Sequence, residues 1–115
     1  MAESSELLHG TLDTIVLKTL AWGPRHGYAI ARWIASTTDD ALLIEEGSLY
    51  PALYRLERRG LIEAEWGLSD TKRKVKVYRL TDDGRARLSV ETLQWQRFAA
   101  AVAKILLPTQ EPTHA

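Results

Sequence analysis

The sequence contains no cysteine, which excludes disulfides, thiolate metal sites and thiol catalysis. No stretch approaches the roughly 18 apolar residues needed to span a bilayer. The opening residues MAESSELLHG carry two acids and no basic cluster, so no secretory signal is predicted and the cytoplasm is the expected compartment. Histidine is sparse and scattered, at His9, His26 and His114, with no spacing suited to a metal. No nucleophile motif, paired catalytic carboxylate or glycine-rich phosphate loop occurs. The pairs Asp39-Asp40, Glu45-Glu46 and Asp82-Asp83 are explained by turns and helix caps. An enzyme is therefore not expected, and neither is a cofactor. Net charge is also missing, with 15 basic against 15 acidic residues. That argues against a protein that coats nucleic acid indiscriminately but leaves room for a local basic patch.

What is present fits one domain of 115 residues with ordinary apolar and charged fractions of 45% and 26%. A first helix is predicted over residues 10–22, with Leu8, Leu12, Ile15, Val16, Thr19 and Leu20 on one stripe, and Gly23-Pro24 stops it. A second follows over 27–37, with Ile30, Ala31, Ile34 and Ala35 inward. Residues 36–40 form a polar break, and Leu42-Leu43-Ile44 reads as a brief strand or the end of a turn. In the third helix Gly47 or Ser48 is the expected cap, Pro51 the first-turn proline and Gly60 the terminator. Leu49, Ala52, Leu53 and Leu56 share its inner face.

Residues 62–66 then alternate apolar and acidic side chains, and residues 75–80 are rich in β-favouring types. With the polar loop 67–74 between them they predict a hairpin. Thr81-Asp82-Asp83 caps a last helix reaching Leu107, and residues 108–115 read as a frayed tail. Trp22, Trp33 and Trp66, near element ends, are expected to close the core. The fold class is mostly α with a β-hairpin: a winged helix-turn-helix over residues 7–80, a dimerisation helix over 81–107 and a flexible tail over 108–115.

With the leucines of the third helix inward, Ser48, Tyr50, Pro51, Tyr54, Arg55 and Arg58 point outward. Hydroxyl, phenol and guanidinium groups can contact phosphates and base edges in a major groove, although such a stripe can also be a plain solvated face. The hairpin adds Lys72, Arg73, Lys74, Lys76 and Arg79, five cations within eight residues. Cations at a hairpin tip can neutralise phosphates, and lysines there can equally deter strand-edge aggregation. Together the two features point to double-stranded DNA. A winged helix used only for protein–protein assembly is the competing reading, because fold does not fix function.

The stretch Gly47-Ser48-Leu49-Tyr50-Pro51-Ala52-Leu53, continuing through Arg55-Leu56-Glu57-Arg58-Arg59-Gly60-Leu61-Ile62, is joined by Gly23-Pro24-Arg25-His26-Gly27-Tyr28 and by Tyr78-Arg79-Leu80-Thr81 with Gly84. These residues resemble the PadR-like (phenolic-acid-responsive) repressors, in the subgroup with a single C-terminal helix, over about residues 7–107. The resemblance implies a homodimeric repressor on a pseudo-palindromic operator. It implies a recognition helix beginning at Ser48, Leu49, Tyr50 and Pro51, a basic wing at Lys72, Arg73 and Lys74, and a phosphate contact near His26, Gly27 and Tyr28. Val77 departs from the family pattern, which often has tyrosine there; it is expected to face outward beside Arg79.

The last helix carries Leu88, Trp95, Phe98, Val102 and Ile105 at nearly seven-residue spacing, with Glu91 interrupting. A helix of some 25 residues reaches about 37 Å, further than one small core extends. A second subunit is the expected cover, with Leu12 of the first helix joining Leu88, Trp95, Phe98, Val102 and Ile105 at the interface. The resemblance also makes Trp95 a candidate platform for a small aromatic effector, against the simpler reading of a packed interface tryptophan.

Overall fold

A computed structural model describes residues 11–114. In chain order these form α1 (Leu12–Ala21), β1 (Arg25–His26), α2 (Gly27–Thr37), α3 (Glu46–Arg58), β2 (Ile62–Leu68), β3 (Lys74–Leu80) and α4 (Asp82–Leu106). The expected helical residues Leu8 and Gly10, and His9, lie outside the described residues.

Helix α1 is the central helix of the core. Leu12, Val16, Leu17, Thr19 and Leu20 are all buried, so its apolar arc is wider than the expected stripe by Leu17. Thr19 is tolerated there because its hydroxyl donates to the Ile15 carbonyl at 2.8 Å. Ile30 and Ile34 of α2 and Leu49, Ala52, Leu53 and Leu56 of α3 pack onto it. Residues 42–44 form no strand; Leu42 and Ile44 are half-buried against the core in an irregular connection.

Helix α3 begins earlier than expected. Glu45 is its N-cap, and the Ser48 and Leu49 amides both donate to the Glu45 carbonyl, at 3.0 and 2.9 Å. Pro51 therefore sits in the second turn, where it cannot donate to the Gly47 carbonyl. The helix ends as the glycine predicts. Gly60 takes φ +74°, its amide donates to Glu57 at 3.0 Å, and the Leu61 amide donates to Leu56 at 3.0 Å. Both hydrogen bonds belong to a Schellman termination, closed here by the buried Leu56 and Leu61.

The sheet has three strands in the order β1-β3-β2, all antiparallel. The short strand β1 has no signature in the sequence. It forms because Arg25 pairs with Tyr78 and His26 with Val77, while the Arg25 guanidinium donates to the Thr19 carbonyl at 2.7 Å. Residues 69–73 close the hairpin through Ser69–Arg73 and Lys72–Ser69 backbone bonds, with Lys72 in the left-handed region at φ +62°. Val77 shares a face with Arg79 and is half-buried.

At the start of α4 the Thr81 hydroxyl accepts from the Gly84 amide at 3.0 Å and donates to the Gly60 carbonyl at 2.7 Å. Gly84 is required by close approach, since a Cβ there would overlap the Leu61 carbonyl oxygen. Beyond Leu88 the helix leaves the body, giving extents of 61 × 30 × 21 Å.

Two expected interface residues belong instead to this subunit's own interior. Leu12 and Leu88 are members of the core cluster, Leu88 only 8% exposed, because both sit where α1 and the first turns of α4 meet. Trp33 packs against the core as expected, but Trp22 and Trp66 are largely exposed and close nothing. Lys18 covers Trp22 at 4.5 Å from the ring centre and Lys74 stands 5.0 Å from that of Trp66.

Candidate nucleic-acid interface

Helices α2 and α3 and the hairpin meet around a groove of about 750 Å³. Its floor is the N-terminus of α2. His26 is the cap, and its Nδ1 accepts from the Ala29 amide at 3.3 Å. The phenol of Tyr50 lies across this terminus. It does so only because residue 27 is glycine, where a Cβ would sit 2.6 Å from the Tyr50 hydroxyl oxygen. Tyr28 and Arg32, one turn apart on α2, form one rim, the guanidinium 5.7 Å from the ring centre. The opposite rim is the hairpin, with Trp66, Arg73, Lys74 and Lys76.

The expected contact residues fall into three groups. His26, Tyr28, Tyr50, Arg73, Lys74 and Lys76 line the groove together. Ser48, Pro51, Tyr54, Arg55 and Arg58 lie on the adjoining outer face of α3, all exposed. Lys72 is at the hairpin tip. The expectation of a contact from Leu49 does not hold. Its side chain is 2% exposed within the core, on the inner face that also carries Leu53 and Leu56.

Ion pairs sort the cations further. Arg55 is held by Asp13 of α1 at 2.8 Å, and Lys76 lies 3.6 Å from Glu57. Arg79 is on the other side of the hairpin, bridged to Glu63 at 2.9 Å and Glu65 at 3.9 Å. Among the described residues, Arg73, Lys74 and Arg58 form no salt bridge with a carboxylate. Arg58 stacks near Tyr54 at 5.7 Å, a surface aromatic–cation pair on the outer face of α3. Under the groove, burial raises the Tyr78 hydroxyl pKa above its usual 10.0, with Glu57 and Tyr50 adding to the shift.

Arg32, Glu46, Trp66 and Asp70 are among the groove residues that were not anticipated from sequence. Arg32 was accessible to reasoning, because it stands four residues after Tyr28 on one helix face. Trp66 continues the Ile62, Ala64 alternation, but nothing in the pattern tells where the core stops beneath it. No group of three or more His, Asp or Glu residues that could hold a metal occurs among the described residues. No helix among them is long and apolar enough to cross a membrane.

Three helices, a short strand and a two-stranded wing, with a basic and aromatic groove beside the third helix, define a winged helix-turn-helix protein. The family model "Transcriptional regulator PadR-like family" matches residues 16–90. The chain is 36% identical over 91 residues to an uncharacterised protein of Lysinibacillus sphaericus, covering 79% of this chain and 84% of that one. Two further curated relatives are longer, and the matches span 59% and 26% of their lengths. A solved transcriptional regulator from Clostridium thermocellum superposes with a TM-score of 0.81 at 31% identity, covering 89% of this chain and 99% of that one. A PadR family transcriptional regulator from Eggerthella lenta superposes at 0.75 with 36% identity, covering 94% and 92%. The chain belongs to the PadR-like family of transcriptional regulators. Members of this family are regulators of transcription, not enzymes.

Proposed function

We propose that the chain is a sequence-specific DNA-binding repressor that acts as a homodimer on a pseudo-palindromic operator and stays in the cytoplasm. One observation carries the reading: the outer face of α3 and a basic wing flank a single groove, and both can engage one duplex. Ser48, Tyr50, Pro51, Tyr54 and Arg58 enter the major groove, where the outer face of a helix can reach base edges. Arg73, Lys74 and Lys72 neutralise phosphates beside it, and the α2 terminus at His26 and Tyr28 meets the backbone. Arg55 reaches the backbone from its pair with Asp13.

Residues 7–80 are the reading unit and residues 81–107 join the subunits, with 108–115 a tail. Trp95, Phe98, Val102 and Ile105 supply the contact between two copies of α4. Phe98 and Ile105 support this, at 68% and 79% exposure on a helix that continues past its own domain. Trp95, half-exposed among them, is the candidate platform for a small aromatic effector that releases the repressor.

The test is an anisotropy titration of the chain against the duplex upstream of its own coding sequence, at two salt concentrations. Tight binding of one dimer per site, falling with log salt in proportion to the phosphates engaged, is expected. Absence of binding to that duplex and to a random-site pool would overturn the reading in favour of a protein-assembly module. The effector reading is checked by Trp95 fluorescence across a panel of planar aromatic compounds, and indifference to all of them sinks it.

A further inference from the structure

The core-side face of the hairpin is longer than the core it covers. Across the two strands Ile62 pairs with Leu80, Ala64 with Tyr78, Trp66 with Lys76 and Leu68 with Lys74, and strand alternation puts all eight side chains on that one face. The first two pairs meet the interior, where Ile62 and Tyr78 are buried and Ala64 and Leu80 pack beside them. The last two run on past the body, leaving Trp66 63% and Leu68 69% exposed. An uncovered indole on a strand loses the stabilisation that burial gives and adds an aggregation hazard, so the fold gains little from it.

The two faces of this overhang differ in charge. Behind the overhang the far face carries the uncharged pair Gly67 and Val75, with Glu65 opposite Val77 nearer the base. The near face carries Lys74 and Lys76 interleaved with Trp66 and Leu68. The groove lining carries four cations (Arg32, Arg73, Lys74, Lys76) and two carboxylates (Glu46, Asp70); with Glu57 beside Lys76 counted, one positive charge is left over on a chain whose formal net charge is zero. The surface is therefore apolar and cationic in alternation. A duplex backbone is its complement, since anionic phosphates alternate there with apolar deoxyriboses.

We propose that Trp66 is itself a DNA contact, the apolar member of the wing's grip, its ring packing on deoxyribose between the phosphates that Lys74 and Lys76 neutralise. The inference rests on the DNA-binding reading above and adds a contact that is neither ionic nor base-specific. Contacts to sugar position a protein without reading sequence. Removing the indole therefore weakens every duplex alike, and it does not change the number of counterions released.

The experiment compares the full chain with Trp66→Ala, Trp66→Phe and Lys74→Ala on two duplexes: the one upstream of its own coding sequence and a random sequence of equal length. Trp66→Ala is expected to bind both about tenfold more weakly, with an unchanged slope of log affinity against log salt. Trp66→Phe keeps most of the affinity, and both variants melt with the parent because the ring is exposed. Lys74→Ala, in contrast, flattens the slope. Parent-like affinity in Trp66→Ala overturns the proposal, as does a slope flattened as far as in Lys74→Ala, which would mean that Trp66 only places the lysine. If the parent binds neither duplex, the DNA reading fails as well, and that result is distinct from either of these.

Discussion

The body of the domain and the outer half of α4 use apolar residues in opposite ways. In the body, the core draws apolar side chains from all three short helices and the hairpin base, and these are covered within the chain. Along α4, Gly84 and Leu88 alone are buried, and from Val90 onward large apolar groups face outward. The same residue types at the same helical spacing thus have different fates, decided by whether another element lies opposite. Periodicity reports that a helix has an apolar face. Only topology reports what the face meets.

Substitutions can sharpen that contrast, and the body should respond most. Leu56→Ala removes a fully buried side chain in the last turn of α3 and is expected to lose about 2–5 kcal/mol of stability by denaturant titration. A loss as small as that of a surface change would mean that the body is not the folding unit. Phe98→Asp on the outer arm should leave the folded body intact while shifting sedimentation from dimer to monomer, weakening association at least tenfold, or about 1.4 kcal/mol. An unchanged sedimentation profile would mean that this part of α4 is not the subunit contact.

On the wing, changing Lys72, Arg73 and Lys74 together to alanine should weaken binding to all duplexes and reduce the salt slope by up to about 0.9 for each phosphate no longer neutralised. Tyr50→Ala should instead harm operator binding more than random-duplex binding. Two parent-like isotherms would show that neither surface touches DNA.

The smallest effect concerns Tyr78, at the boundary between core and groove. Its pKa is raised chiefly by burial, so the fold favours the neutral phenol. Its contribution is fully present below the unfolded pKa near 10 and is lost as pH rises through the higher folded value. Tyr78→Phe should therefore show a shallower alkaline decline in melting temperature above pH 10. Curves of equal steepness would show that Tyr78 does not report this titration.

Much of this arrangement was legible in the residues themselves. Gly60 and Thr81 each announced an element boundary, and the structure puts both at that boundary, because capping is a local interaction between neighbours in sequence. The 62–80 hairpin was legible for the same reason, although its strands extend to Leu68 and from Lys74. What escaped depends on distant partners. Strand β1 exists through pairing with β3 some fifty residues later, and two residues have no periodicity to detect. The start of α3 was misplaced because Pro51 suggested a first turn, whereas the Glu45 carbonyl nucleates the helix earlier. The groove was half legible. Tyr50, Lys74 and Lys76 follow from local patterns, but the alternation that carries Trp66 looks the same over a core as beyond one.

Gly60, Leu61 and Thr81 have one further consequence, which is mechanical. The Thr81 amide donates to Leu61 at 3.1 Å while its hydroxyl holds Gly60 and Gly84 together. The foot of the long helix is thus riveted to the residues that immediately follow α3, with no slack chain between them. A turn of about 10° at this hinge pin would sweep the far end of a 37 Å helix through roughly 6 Å. In the opposite direction, a second subunit clamping the outer arm, as proposed above, would set the angle at which α3 is presented.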